Sequence, residues 1–482
     1  LSAGSKKRIN GRCPHEAASV NLNDIVPRNH AMRFGPLRNL SHFCSAANSR
    51  RRWRVGLSSL LVLAASAGLV PSLAHAQVSP LSLNDYSRMG NRQTAARKVN
   101  DAIYMAIGFS NTFLVRTDDG NVVIDTSSPV SAKKHHELLR KVSDAPVRYV
   151  ILTHGHHDHT GGLRYWMEPN TKLVVQHSYL EFNSYQERLR SYLNRTGAAQ
   201  FGLDIGTLNA FDRVPDKKFE PAVAFDDKYE FELGGTKFEL FANPGETYDH
   251  LCVWVPKYKA AFVGDNYYES FPNIYTLRGT KPRWALDYVA SLNKILALEP
   301  EIVLPSHGEP VVGKDKIVEK LTRYRNAILY VHDATVKGMN EGKDVFTLMH
   351  EVKLPPELNV GEAYGKVDWS VRGIFDGYVG WFDLNPATMY DRSPTVAEPE
   401  LVRMAGGPAV VAARAKTLAA SDPVAAVRLS DAALMVEPKS KPALEARLAA
   451  LKSLQGASRN LIEGAWLTTA IRETSRALAN AK

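Results

Sequence analysis

Cysteine is nearly missing from this chain: 482 residues hold three, Cys13, Cys44 and Cys252. Two of them fall in a segment that reads as a removable leader, so a disulfide framework is excluded for the remainder of the chain. Cys252 sits in the apolar run Leu251-Cys252-Val253-Trp254-Val255, which suits a buried structural thiol. A long hydrophobic run is missing as well. The best candidate, Val55 to Val70, is uncharged and mostly apolar but stops at Pro71, marginal for crossing a bilayer. An excess of charge is missing once the leader is set aside. The formal charge is +10, but residues 1–76 carry eleven Lys or Arg against two acids, leaving +1 for residues 77–482. The basic pI therefore gives no support to nucleic-acid binding.

The leader has its own signature. Arg50-Arg51-Arg52-Trp53-Arg54 is a basic opening, the apolar stretch comes next, and Ala74-His75-Ala76 is a small-residue cleavage pattern before Gln77. Cleavage there and export to the periplasm or beyond are expected, with no stable membrane anchor afterwards. An uncleaved anchor is the alternative.

The chain does have histidine, concentrated in one place. Thr153-His154-Gly155-His156-His157-Asp158-His159-Thr160-Gly161-Gly162 sets four imidazoles and a carboxylate within six residues. Neutral imidazole and carboxylate are the ligands that a borderline divalent metal such as zinc prefers. The β-branched run Val147 to Leu152 reads as a buried strand, so the cluster would sit on a loop leaving a strand end. Open α/β sheets place their chemistry at such ends. Further metal-competent residues come after strand-like runs in turn. Glu246 and His250 come after the turn Asn243-Pro244-Gly245, Asp265 after Ala260 to Gly264, and His307 after Ile302-Val303-Leu304.

The rest of the chain divides by pattern. Val99 to Thr126 reads as strands around Asp118-Asp119-Gly120-Asn121, and Ala132 to Val142 as a helix. Tyr229 to Leu233 and Thr236 to Leu240 flank Gly234-Gly235, a strong hairpin signal. Trp284 to Leu298 has helical spacing, and so has Val318 to Met339. Leu354-Pro355-Pro356 breaks that pattern, because proline inside a helix costs a hydrogen bond and a clash. A Gly- and aromatic-rich stretch runs from Trp369 to Tyr390, and Pro408 to Ala481 reads as Ala- and Leu-rich antiparallel helices. The expected division is a leader over 1–76, a catalytic domain over 77–315 and a helical domain over 316–482.

H-x-H-x-D-H, a later Pro-Gly turn with a ligand, an Asp after a strand and a last His resemble the metallo-β-lactamase superfamily. That resemblance implies an αββα sandwich followed here by an all-α domain, with one or two metals at one edge. It implies His154, His156 and Glu246 on a first metal, Asp158, His159 and His307 on a second, and Asp265 between them. His250 is the alternative to Glu246, and His157 matches no ligand position. Asp158 and Asp265 would also act in catalysis. A narrower resemblance rests on Asn273-Ile274-Tyr275-Thr276-Leu277-Arg278-Gly279, on Tyr330 to Thr335, on Gly380-Trp381-Phe382-Asp383-Leu384-Asn385-Pro386-Ala387 and, more weakly, on Arg195 to Gly202. These are similar to the alkyl sulfatases of the superfamily and to their dimerisation domain. A sterol-carrier-like domain that usually ends those enzymes is expected to be lacking.

The implied chemistry is hydrolysis of an anionic small-molecule ester by a hydroxide generated between two divalent ions, most naturally Zn2+, about 3.5–4 Å apart. Arg278 would hold the sulfate through its fork of donors, with Asn273, Tyr275 and Tyr179 as weaker candidates for substrate contact. The helical domain would form a homodimer. Two other readings stay open: a hydrolase of a lactam, lactone or thioester on the same fold, and a metal-holding scaffold without catalysis.

Overall fold

A computed structural model describes residues 89–203 and 219–481; the expected leader lies outside the described residues. Two sheets face each other. The first runs β1 (Arg97–Lys98), β2 (Ile103–Ala106), β3 (Thr112–Thr117), β4 (Gly120–Ile124), β5 (Val147–Ile151), β6 (Lys172–Gln176) and β7 (Val223–Phe225), in that spatial order. The second contains β8 (Lys228–Leu233), β9 (Thr236–Ala242), β10 (Leu251–Val255), β11 (Ala260–Gly264), β12 (Ile302–Pro305) and β13 (Val311–Val312), also ordered as in the chain.

Side-chain alternation explains the layers. Along β3, Phe113 and Val115 point to the second sheet, while Leu114 points the other way. Phe113 meets Phe262 of β11 edge-on, ring centroids 5.2 Å apart, in the core between the sheets. Leu114, Val123, Val150 and Leu173 cover the outer face, where Leu138 and Leu139 of the helix Ala132–Arg140 pack. On the far side, Cys252, Trp254, Ala261 and Val263 lie under Tyr288, Leu292 and Ile295 of the helix Ala285–Ala297. The result is the αββα sandwich.

The expected hairpin at Gly234-Gly235 is present, and both glycines have positive φ (49° and 66°), as a tight turn between β8 and β9 needs. The helix expected from Val318 extends over Lys314–Asn340 and packs into the same core as the second sheet through Ile317, Leu321 and Tyr324. Further helices lie at Val345–Glu351, Val367–Val379, Glu398–Met404, Pro408–Leu418, Pro423–Val436, Lys441–Ala457 and Leu461–Asn480. Buried alanines, among them Ala412, Ala426, Ala433 and Ala443, let the last of these approach closely. The final helix returns to the helix Arg190–Gln200, where Thr469 Oγ1 donates to the Ala199 carbonyl at 3.4 Å. Among the described residues no helix is long and apolar enough to cross a membrane.

Candidate metal centre

Seven side chains reach one edge of the sandwich from separate strand ends. His154 and His156 lie on the loop after β5, and Asp158 and His159 in the short helix His157–Thr160 next to it. Glu246 lies in the turn between β9 and β10, Asp265 after β11 and His307 after β12. They fall into two groups, His154, His156, Glu246 and Asp265, then Asp158, His159 and His307. In each, one ligand atom per residue lies within 4.8 Å of the others.

In the first group His156 Nδ1 is 2.8 Å from His154 Nε2 and 2.9 Å from Glu246 Oε2. In the second, Asp158 Oδ2 is 3.5 Å from His159 Nε2 and 3.4 Å from His307 Nε2. Asp265 touches both: Oδ1 is 3.4 Å from His159 Nε2, while Oδ2 is 3.2 Å from His307 Nε2 and 3.8 Å from His154 Nε2. His157 is exposed and joins neither group.

These residues fit a divalent metal. His159 Nε2, Glu246 Oε2 and Asp265 Oδ1 are buried without a hydrogen-bond partner and converge here, an arrangement that costs stability unless something satisfies it. Imidazole and carboxylate are the donor set of zinc and related ions. Burial opposes charge on His307, but Asp265 and then Asp158 outweigh it and raise its pKa to about 10. His159 is raised well above the usual imidazole range in the same way, by Asp265, Asp158 and Asp125 against burial. An ion binding at these nitrogens must displace those protons, so its affinity falls as pH falls.

The supporting contacts determine which nitrogen faces the centre. Asp125, at the end of β4 with φ 53°, takes His159 Nδ1 at 2.8 Å, the Thr153 N–H at 2.8 Å and Ser306 Oγ at 2.6 Å. Its bond to Nδ1 leaves Nε2 of His159 facing the other metal-competent side chains. His307 Nδ1 donates to the Phe109 carbonyl, with the same result. His250 stands apart from both groups. Its Nε2 accepts the Asp265 N–H at 3.1 Å, and burial lowers its pKa to about 4, so it is a neutral acceptor behind Asp265. Gly264 allows this approach: its φ is +53°, and a Cβ there would lie 2.3 Å from His250 Nε2. Replacing Asp125 with alanine is expected to weaken metal binding or turnover by about ten- to a hundredfold. Chelator competition measures it, and parent-like affinity together with parent-like turnover would deny Asp125 that orienting role.

Arg283 is a contact that sequence reasoning missed. Buried, it pairs Nη1 with Glu246 Oε1 and with the Asn273 carbonyl at 2.8 Å. Burial opposes the Glu246 carboxylate charge, but Arg283 and then His156 bring its pKa down to about 2. Arg278 reaches the site as well: its Nη2 is 3.2 Å from His156 Nε2. Asn273 is buried with its carbonyl on Arg283, whereas Tyr275 packs against Gly373 of the helix Val367–Val379. Among the described residues neither of those side chains hydrogen-bonds a member of the two groups. Tyr179 belongs to the outer core of the first sheet.

A sandwich of two mixed sheets with metal-competent residues at one edge defines a class, and residues 106–307 match the family model of the metallo-beta-lactamase superfamily. Residues 346–476 match that of alkyl sulfatase dimerisation, so the chain joins a metallo-β-lactamase domain to an alkyl sulfatase dimerisation domain. Among similar proteins, the linear primary-alkylsulfatase of Pseudomonas sp. (strain ATCC 19151) is 29% identical over 373 residues, covering 72% of this chain and 71% of its own length. The (R)-specific secondary-alkylsulfatase of Pseudomonas sp. is 25% identical, over 73% of this chain and 58% of its own. The solved structure of the stereoselective inverting sec-alkylsulfatase Pisa1 from Pseudomonas sp. superposes with a TM-score of 0.71 at 22% identity. That superposition covers 79% of this chain and 65% of Pisa1, and it shows the shared fold. The chain thus spans less than two thirds of the length of the last two proteins.

Proposed function

We propose that this chain is a metal-dependent hydrolase that cleaves sulfate esters, alkyl sulfates among them. The observation that carries the reading is the placement of the Arg278 guanidinium 3.2 Å from His156, beside two ligand groups joined by Asp265. We assign His154, His156 and Glu246 to one ion, Asp158, His159 and His307 to another, and Asp265 to both, with Zn2+ as the expected metal. Two such ions would lower the pKa of a water molecule towards neutrality and supply the hydrolytic nucleophile. The chain's own groups do the rest. Asp158, Glu246 and Asp265 offset cationic charge, and Arg283 restricts Glu246 to one outward oxygen. Once His156 gives Nδ1 to a ligand role, its Nε2 carries the proton and can no longer accept from Arg278. The guanidinium is then available to an anionic ester oxygen. Hydrolysis adds water across the ester and leaves an alcohol and inorganic sulfate.

A panel on metal-loaded protein tests the reading, comparing alkyl sulfates of several lengths with nitrocefin, lactones and thioesters. Turnover of alkyl sulfates above the others is the expected result. Nitrocefin opening without sulfatase activity would transfer the assignment to the lactam class.

The helical domain, on this reading, assembles a homodimer. Export and cleavage before Gln77 complete the proposal, supported by the basic and apolar pattern of residues 50–76. N-terminal sequencing of the periplasmic fraction should begin at Gln77. A soluble cytoplasmic protein that retains residues before Ala76 would refute export.

A further inference from the structure

A second feature of the fold lies behind the metal centre. A cavity of about 220 Å3 opens beside the start of the helix Ala285–Ala297, walled by Trp284, Leu286, His332, Gly373 and Tyr378. Arg283, the partner of Glu246, also lines it. Its rim is preorganised. The Trp284 and Tyr378 rings lie 5.7 Å apart, and Tyr378 Oη is held at 2.9 Å by His332 Nε2, whose Nδ1 is 2.8 Å from Asp333. The lining mixes apolar and aromatic side chains (Trp284, Leu286, Ile374, Tyr378) with the polar Asp287 and His332, and leaves room on the order of one large side chain.

A few residues along the chain is a side chain without a home. Helix Val367–Val379 ends at Gly380, whose φ of 77° turns the chain outward. Trp381 comes next with 76% of its surface exposed, then Leu384 with 83%. Polar contacts define the turn of this ribbon. The Asp383 carboxylate accepts from the Asn385 N–H at 3.0 Å and Thr388 Oγ1 at 2.6 Å, and Asn385 Oδ1 accepts from the Ala387 N–H at 3.0 Å. Leu384 is even held at φ 65°, a conformation unfavourable for a bulky residue. Polar groups therefore fix a turn whose apolar side chains face water, the opposite of what a solitary chain needs.

We propose that Trp381 of one subunit docks in the Trp284–Tyr378 cavity of a second copy of this chain, and reciprocally. The proposal rests on the dimeric reading above. The occupant is another copy because the ribbon and the Gly373–Tyr378 wall lie within residues 346–476, which match the dimerisation family. Trp381 comes three residues after Tyr378, so knob and socket are close neighbours along the chain. A two-fold axis brings the same patch of both subunits together, so each subunit must offer both halves within one patch. An aromatic knob between two aromatic walls is also the kind of contact that dominates interface energy.

Sedimentation of the full chain over a dilution series tests this, with far-UV circular dichroism confirming folded variants. Trp381→Ala should raise the dimer dissociation constant at least about tenfold, Trp381→Phe should restore part of that, and Leu286→Ala should weaken the dimer from the socket side. In the double variant Trp381→Ala with Leu286→Ala, the two losses should fall short of additivity. Val130→Ala, also exposed but in the other domain, should change nothing. A dimeric parent that Trp381→Ala leaves unaltered would overturn the docking and spare the dimeric reading. A parent that stays monomeric at micromolar concentration would overturn both. Neither result depends on catalysis, so they leave the sulfatase reading to its own test.

Discussion

Asp265→Ala is expected to reduce turnover by about a thousandfold or more and to purify with less metal than the parent. Its two oxygens face different ligand groups, at 3.4 Å from His159 and 3.2 Å from His307, so no other single side chain touches as much of the centre. Elemental analysis should find close to two metal equivalents in the parent. His154→Ala should lose metal and activity together. Glu246→Ala should lower metal binding more than His250→Ala, because His250 Nε2 is spent on the Asp265 N–H. The reverse order would make His250 the ligand. Full activity after exhaustive chelation would end the metal-dependent reading altogether.

The second large effect concerns the anion. Arg278→Ala should weaken turnover of a sulfate ester by about one to three kcal/mol of transition-state binding, roughly ten- to a hundredfold. Arg278→Lys should recover only part, because an ammonium keeps the charge and loses the fork. Metal content should stay at the parent level in both, since Arg278 approaches His156 at Nε2 and the ligand groups lie at Nδ1. Kinetics against one alkyl sulfate, with metal assayed in parallel, separates the two roles. Parent-like turnover in both variants would make Arg278 structural.

The clustering of metal-competent residues was legible because metal chemistry admits few residue types and the fold places them after strands. His154, Asp265 and His307 each come after a short apolar run, a pattern visible without coordinates. The hairpin at Gly234-Gly235 and the helix at Ala285–Ala297 announced themselves by turn chemistry and periodicity. Asp125 could have been read too: it succeeds β4 as Asp265 succeeds β11. Arg283 could not. It sits in a loop with no periodicity, and its pairing with Glu246, 37 residues away, depends on how the second sheet's loops close. The packing of Tyr275 on Gly373 was equally hidden, because it joins segments nearly a hundred residues apart through a helix of the other domain.

The origin of the seven side chains has a consequence for durability. His154, His156, Asp158 and His159 leave the first sheet, whereas Glu246, Asp265 and His307 leave the second. Whatever ions they hold would rivet the two layers together at the open edge. Among the described residues the only cysteine is the buried Cys252, so no covalent bond does that job. Resistance to unfolding then becomes a property of the surroundings as much as of the chain. At a free metal concentration a hundred times the dissociation constant, one such site adds about 2.7 kcal/mol to the folded state. A metal-starved compartment withdraws it.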